Sequence, residues 1–492
     1  MPEHFDVLIV GAGLSGIGAA CHLQRECPDR SFVLLEGRAD LGGTWDVFRY
    51  PGVRSDSDMH TLGYEFKPWT HEKSIADGPS ILAYLRETAA EYDVERHIQF
   101  RQHVDGASWS SEEGRWTVRA HDTTTADPVE LTCSFLFMNA GYYSYNEPYA
   151  AELPGIERFE GTVVHPQFWP DELDYQGKRV VVIGSGATAM TIVPAMASDA
   201  AHVTMLQRSP TYVVARPDRD RIANRLRKLL PDRAAYRITR RKNITLLAYF
   251  YGQTRTKPEK TRQLLLGAVR KQLGDELTDA HFTPSYNPWD QRLCLLPNGD
   301  LYEAIRSGRA SVVTDHIATF TPNGVVLESG AELAADVVVT ATGLQLVTPG
   351  EMTFDVDGEP VDFGETWTYR GVAFSDVPNL VSTFGYINAS WTMRSDLIAR
   401  FVCRLLNHMR ATGTDQCTPR LRESDRDMPS RPWIDGFTPG YMQRVMARMP
   451  KQGDRAPWLN PQRYKADRQA LLREPLDDGV MQFTRTRTAV TT

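Results

Sequence analysis

The sequence predicts an α/β protein with two Rossmann-like dinucleotide-binding domains. Two glycine strings predict it, GAGLSG from Gly11 and GSGATA from Gly184. Each follows an apolar, β-branched run and stands where a helix must begin, the arrangement that lays a pyrophosphate on backbone amides. A third observation narrows the chemistry. The six cysteines (21, 27, 133, 294, 403 and 417) form no CxxC pair, so a flavin bound here has no dithiol to reduce.

In the first unit Phe5–Val10 reads as a buried parallel strand. Gly11 permits the tight turn, Gly13 the approach of a pyrophosphate, and Gly16 close packing of the helix that runs through Ile17–Ala20. The pyrophosphate then meets the positive end of that helix. Ser31–Leu35 is the next strand, and Glu36 follows it, 20 residues past Gly16. A carboxylate there accepts ribose hydroxyls and repels a 2′-phosphate, which suits FAD or NAD.

The second unit repeats the plan with one change. Arg179–Ile183 is the strand, and Gly184, Gly186 and Ala189 take the three fingerprint positions. The next strand, His202–Leu206, ends on Gln207-Arg208, with Arg208 19 residues past Ala189. A guanidinium there matches a 2′-phosphate, so this unit reads as the NADPH site and the first as the FAD site. The bland alternative for Arg208 is a surface arginine at a strand end.

The chain has 492 residues, a net charge of −7 and 41% hydrophobic residues, enough for two or three domains and unlike a disordered chain. No apolar run reaches about 18 residues, which excludes a spanning helix. The N-terminus enters the first strand directly, with no signal peptide. No zinc-ligand spacing occurs, and no metal is expected. A cytoplasmic enzyme with reduced, buried thiols is the expectation.

FEGTVVHPQFWP, residues 159–170, lies between the two fingerprints and resembles the Baeyer–Villiger monooxygenase signature FxGxxxHxxxW followed by Pro or Asp. Phe159, Gly161, His165, Trp169 and Pro170 fill its specified positions. Gly42-Gly43-Thr44-Trp45 with Tyr50-Pro51-Gly52 and Asp56 matches the GGxWxxxxYPGxxxD string of the same class B flavoprotein monooxygenases. Ala341-Thr342-Gly343, after the strand Asp336–Thr340, is a third likeness. The strings RYPGVRSDSD, NPWDQRLCLLPNGD and NASWT resemble the mycobacterial ethionamide-activating type, and the likeness runs to about residue 460.

The resemblance implies roles by position. Ser15, Glu36, Thr44, Trp45, Asp46, Val47, Asp56 and the backbone at Val104 match positions that hold FAD. Arg54, Ser55 and Asp56, then Ile183, Gly184, Ser185, Gly186, Ala187, Thr188 and Ala189, and finally Gln207 and Arg208, match positions that touch NADP. Arg292 aligns with the active-site arginine, and Asp56 orients it. Many relatives carry Lys-Arg where this chain has Gln291-Arg292, which implies a weaker preference for NADPH over NADH.

The implied chemistry is insertion of one oxygen atom from O2 after NADPH reduces FAD. Oxygen adds at flavin C4a, and the peroxide must be an anion to attack a ketone, giving an ester or lactone. Arg292 stabilises that charge. Sulfides and thioamides attack the protonated form instead, so apolar ketones and sulfides are the expected substrates. The alternatives are an N- or S-oxygenating flavin monooxygenase without ketone activity and a non-enzymatic redox-sensing flavoprotein. Asp56 as a plain helix N-cap, His165 as a structural link between the domains, and Trp391 as either wall or core remain open readings.

The expected organisation is a first FAD-binding segment over 1–150, closing with Phe135–Gly141, and an NADPH-binding domain over 151–330 with a helical insertion near 213–285. A returning FAD segment over 331–492 begins with the ATG strand, carries a helix at about 393–412 with Leu397, Phe401, Leu405 and Leu406 on one face, and ends in a loose polar tail from Phe483 to Thr492. Between Arg216 and Lys271 stand 17 Lys and Arg against 4 Asp and Glu. A solvated face, attraction of NADPH, and peripheral contact with anionic lipid through the apolar run Ile244–Tyr251 are the three readings. No nucleic-acid motif accompanies the charge, and the oligomeric state is open.

Overall fold

A computed structural model describes residues 2–347 and 349–486. Its first sheet has nine strands. Glu3–Val10 pairs in parallel with Phe32–Glu36 on one side and with Pro128–Met138 on the other. Gln102–Ser110 and Arg115–Asp122 continue the sheet as an antiparallel meander. Alternate side chains explain why the central strands are apolar in their C-terminal halves. Val7, Ile9, Phe135 and Phe137 enter a core beneath the helices Leu14–Glu26 and Trp391–Thr412, and Leu8, Val10, Leu136 and Met138 enter another with Trp109 and Trp116. A strand buried on both faces cannot alternate with polar residues.

The second sheet has five strands, all parallel, in the order Ala310–Thr314, His202–Gln207, Arg179–Ile183, Val337–Thr340 and Thr162–Val164. It too is buried on both faces, with Val180, Val182 and Val337 in one core and Val181, Ile183 and Val338 in the other. The strand before Ala341-Thr342-Gly343 therefore does not open the return to the first sheet, as the sequence suggested. It completes the second sheet, and the return follows through Leu344–Leu346, which runs antiparallel beside the outgoing Tyr143–Pro148. Thr353–Val356 then joins the first sheet beside Gln102–Ser110.

The insertion is helical as expected. Val213–Arg216 pairs with Cys294–Pro297, and between them run helices Arg221–Leu229, Asp232–Thr256, Pro258–Leu273 and Asp275–His281. The helix expected at 393–412 begins at Trp391 and buries Leu397, Phe401, Leu405 and Leu406. The tail differs from expectation at its start. Phe483 and Thr484 belong to the strand Met481–Thr484, paired with Gln416–Pro419. Residues 487–492 lie outside the described residues. All six cysteines are buried and unbonded. No helix among the described residues is long and apolar enough to cross a membrane.

Candidate active site

A cavity of about 460 Å³ opens between the glycine turn of the first sheet and the start of the helix Ala187–Met196 beside the second. From the first unit come Gly11, Gly13, Ser15, Glu36, Thr44, Trp45 and Val104, and from the following loop Arg54, Ser55 and Asp56. Ala187, Thr188 and Arg292 line it from the second unit and its insertion. These residues are thus brought to one place. Gly16, Asp46, Val47, Ile183, Gly184, Ser185, Gly186, Ala189, Gln207 and Arg208 are not on its wall.

The local reasons are steric. Gly16 faces its own turn so closely that a Cβ would stand 1.9 Å from the Gly11 carbonyl oxygen. Gly52, with φ +75°, lets the Tyr50-Pro51-Gly52 loop lie on helix Ala187–Met196, where a Cβ would be 2.7 Å from Ala195 Cβ. That loop carries Arg54 to Asp56 across to the second unit.

Two glycines have no such reason. A Cβ on Gly13 would meet nothing nearer than Gly43 Cα at 3.5 Å, and one on Gly186 nothing within 4 Å. Their φ values are −76° and −79°, open to any residue. Their bareness is not required by the protein's own packing; it fits the close approach of a phosphate at each helix start.

Glu36 is buried, its two oxygens accepting the Ala12 and Arg38 amides at 2.8 and 3.0 Å. Burial pushes its pKa up against those two hydrogen bonds. Asp46 is taken by Arg38, whose Nε and Nη2 donate at 3.0 and 2.7 Å, so its side chain serves to fix Arg38 at the cavity wall. Ser15 Oγ accepts from Trp391 Nε1 at 2.8 Å, and Trp391 stacks on Tyr142 with centroids 5.0 Å apart. Trp391 is therefore wall.

Arg292 donates to Asp56, and the Tyr142 and Tyr441 hydroxyls lie close enough to act on it. Burial works against its charge, yet Asp56 and the two tyrosines raise its pKa above the ordinary arginine value. Burial pushes Tyr142 up to about 12, so its phenol keeps its proton. Asp56 caps no helix. The capping carboxylate is Asp58, which accepts from the Thr61 amide at 3.2 Å.

Arg54 donates to Asp300 through Nη1, while its Nη2 is buried without a partner. Arg208 is exposed and has no acidic partner among the described residues. Gln207 turns inward, donating to the His281 carbonyl at 2.7 Å and Thr314 Oγ1 at 2.9 Å. His165 accepts the Gln167 amide at Nδ1, 3.2 Å away, and its Nε2 is buried near Gly343 without completing a hydrogen bond. Burial lowers its pKa. Sequence reasoning missed the aromatic run Tyr142, Tyr143 and Tyr145, all on the cavity wall. Its signal was present, aromatics just after the glycine turn Gly141 that ends a buried strand.

A two-dinucleotide-domain flavin monooxygenase is the class this fold defines. Residues 5–351 match the model of the flavin-binding monooxygenase-like family, and the chain belongs to that family. It is 50% identical over 487 residues to the FAD-containing monooxygenase EthA of Mycobacterium tuberculosis, covering 98% of each chain. It is 46% identical to the probable FAD-binding monooxygenase AlmA of Acinetobacter baylyi, covering 98% of this chain and 97% of that one. An oxidised steroid monooxygenase bound to NADP has the same fold at TM-score 0.78 and 23% identity, over 98% of this chain and 100% of that one.

Proposed function

We propose that this protein uses FAD and NADPH to insert one oxygen atom from O2 into apolar ketones, giving esters or lactones, and to oxidise sulfides and thioamides. The observation that carries the reading is the Arg292–Asp56 pair on a cavity wall shared with Tyr142 and Trp391. The FAD named in EthA and AlmA and the NADP in the steroid monooxygenase structure support the cofactors. For ketones the balance is ketone, O2, NADPH and a proton to ester, NADP⁺ and water.

Gly13, Ser15 and Glu36 would hold FAD; Gly186, Arg54 and Arg208 would hold NADPH. Arg54 Nη2, buried and unpartnered, suits an anionic group. Bound FAD, reduced by NADPH, supplies the activation of O2. Arg292 keeps a permanent positive charge where negative charge develops on the attacking and carbonyl oxygens. Such preorganised charge is worth about 3–4 kcal/mol in a water-poor site. Asp56 positions that guanidinium through its hydrogen bond. Tyr142 and Trp391 form an apolar wall that keeps water from the reacting oxygen.

Arg292→Ala tests the reading on one ketone and one sulfide. Ketone turnover falls by roughly a hundredfold or more, with sulfoxidation retained. Equal retention of both overturns the role given to Arg292, and wild-type sulfoxidation without any ketone turnover assigns the chain to N- or S-oxygenation and overturns the ketone assignment. Mass spectrometry with labelled O2 that finds no oxygenated product overturns the monooxygenase reading itself.

A further inference from the structure

The insertion's outer surface joins two features that seldom meet on a soluble face. Among the described residues, eight of the ten exposed large apolar side chains lie between 222 and 277. Six of them, Ile222, Leu229, Leu230, Ile238, Leu246 and Tyr249, stand on helices Arg221–Leu229 and Asp232–Thr256 and the turn joining them, with Leu229 72% and Tyr249 66% exposed. Lys242 bonds Asp220 at 2.6 Å, which holds the start of the first helix beside the middle of the second.

The charge on this pair is one-sided. From 221 to 256 there are ten Lys and Arg and a single acid, Asp232. Arg221, Arg225, Lys228, Arg233, Arg237 and Arg241 are exposed, and none has an acidic partner among the described residues. The opposite face is anchored. Arg240 donates to the His60, Thr61 and Gly63 carbonyls at 2.8–3.1 Å, and Asn243 to Asp58 at 2.8 Å. The long helix is thus fixed to the first unit and presents its other face rigidly.

We propose that this helix pair docks peripherally on an anionic lipid bilayer. Exposed apolar side chains rimmed by unpaired cations are what an interfacial helix needs, apolar groups for the acyl boundary and charge for the headgroups. A second copy of this chain fits worse, since two such faces would oppose their cations. Nucleic acid offers no apolar partner to the exposed isoleucines and leucines. Outside 216–271 the chain carries a net charge of about −20, which repels the remainder from the same bilayer and leaves one orientation. This surface is independent of the reaction proposed above.

The test is co-sedimentation of the holoenzyme with vesicles of equal parts phosphatidylglycerol and phosphatidylcholine, against phosphatidylcholine alone. Pelleting is expected with the anionic vesicles only, and it weakens at about 0.5 M salt, where screening shortens to a few ångströms. Replacing Arg233, Arg237 and Arg241 with Ala lowers partitioning about a hundredfold, at roughly fivefold per charge. Ile238→Ser with Leu246→Ser and Tyr249→Ser abolishes it, while NADPH oxidation by both triple variants stays at wild-type level. Equal pelleting with both vesicles, no pelleting, or pelleting that survives both triple variants overturns the proposal. So does a dimer in sedimentation equilibrium that the apolar triple variant dissolves without any vesicle binding, or retardation of duplex DNA without it.

Discussion

In the first dinucleotide unit the helix lies so close to its strand turn that a Cβ on Gly16 would stand 1.9 Å from a backbone oxygen, and Glu36 at the end of the neighbouring strand is buried. In the second unit Ala189 carries a Cβ at the matching position, Gly186 faces open space, and exposed Arg208 follows the neighbouring strand, which ends on Gln207. One plan has been closed in the first case and left open in the second. The difference suits two kinds of ligand. A group that stays through many turnovers gains from buried partners, whereas one that must leave after giving up its electrons needs donors near the surface.

The comparison breaks most visibly at Gly16. In Gly16→Ala the new methyl meets backbone, so helix Leu14–Glu26 must shift, at a cost of about 1–3 kcal/mol. Purified protein should lack flavin absorbance and unfold at a lower temperature. Ala189→Gly costs roughly 1 kcal/mol as a helix glycine and keeps its flavin. If both variants hold flavin equally, the first unit is not the closed one.

Gly13→Ala and Gly186→Ala sharpen it. Neither methyl meets protein atoms closer than ordinary contact, so the unliganded stability of each variant should stay within about 0.5 kcal/mol of wild type. Gly13→Ala should nevertheless lose FAD. Gly186→Ala should keep FAD and raise KM for NADPH. Lower thermal stability of the apoproteins would show that the glycines serve packing and not a ligand.

Arg208→Ala has a smaller expected effect. Losing one charge-assisted contact should raise KM for NADPH roughly tenfold and leave KM for NADH unchanged. Equal rises with both would mean that Arg208 does not read the 2′-phosphate.

The fold was legible where information is local. Apolar runs buried on both faces and glycine turns gave each strand before the fingerprints and each helix after them. What escaped was which sheet a strand joins. Val337–Thr340 has the composition of a central parallel strand in either sheet, and only its pairing with Arg179–Ile183 and Thr162–Val164 decides. The candidate site divides the same way. Glu36, Arg292 and Trp391 all stand in motifs, but the contact of Trp391 with Ser15, across 376 residues of sequence, shows only in the fold. Asp56 is a plausible cap from sequence, but the helix begins at Met59, so the cap falls to Asp58, which accepts from the Thr61 amide.

His165 joins the compared units, since its loop continues the second sheet's edge strand Thr162–Val164 and its ring faces the Gly343 turn. Burial lowers its pKa from the ordinary 6.5, so the folded state favours the neutral ring. As pH falls through the unfolded value, the unfolded chain takes up the proton first. Stability from this group is therefore unaffected above about pH 7 and declines below pH 6.5. Other histidines titrate in the same range, so the quantity to measure is the difference in urea-unfolding free energy between wild type and His165→Gln. That difference should shrink as pH falls from about 7.5 to 5, and it is the smallest effect of the four because the ring is only half-buried. A constant gap would mean that the fold leaves the ring's proton affinity unshifted, and one that widens on acidification would mean that the fold favours the protonated ring. In the second case the link between the units would be a charged one.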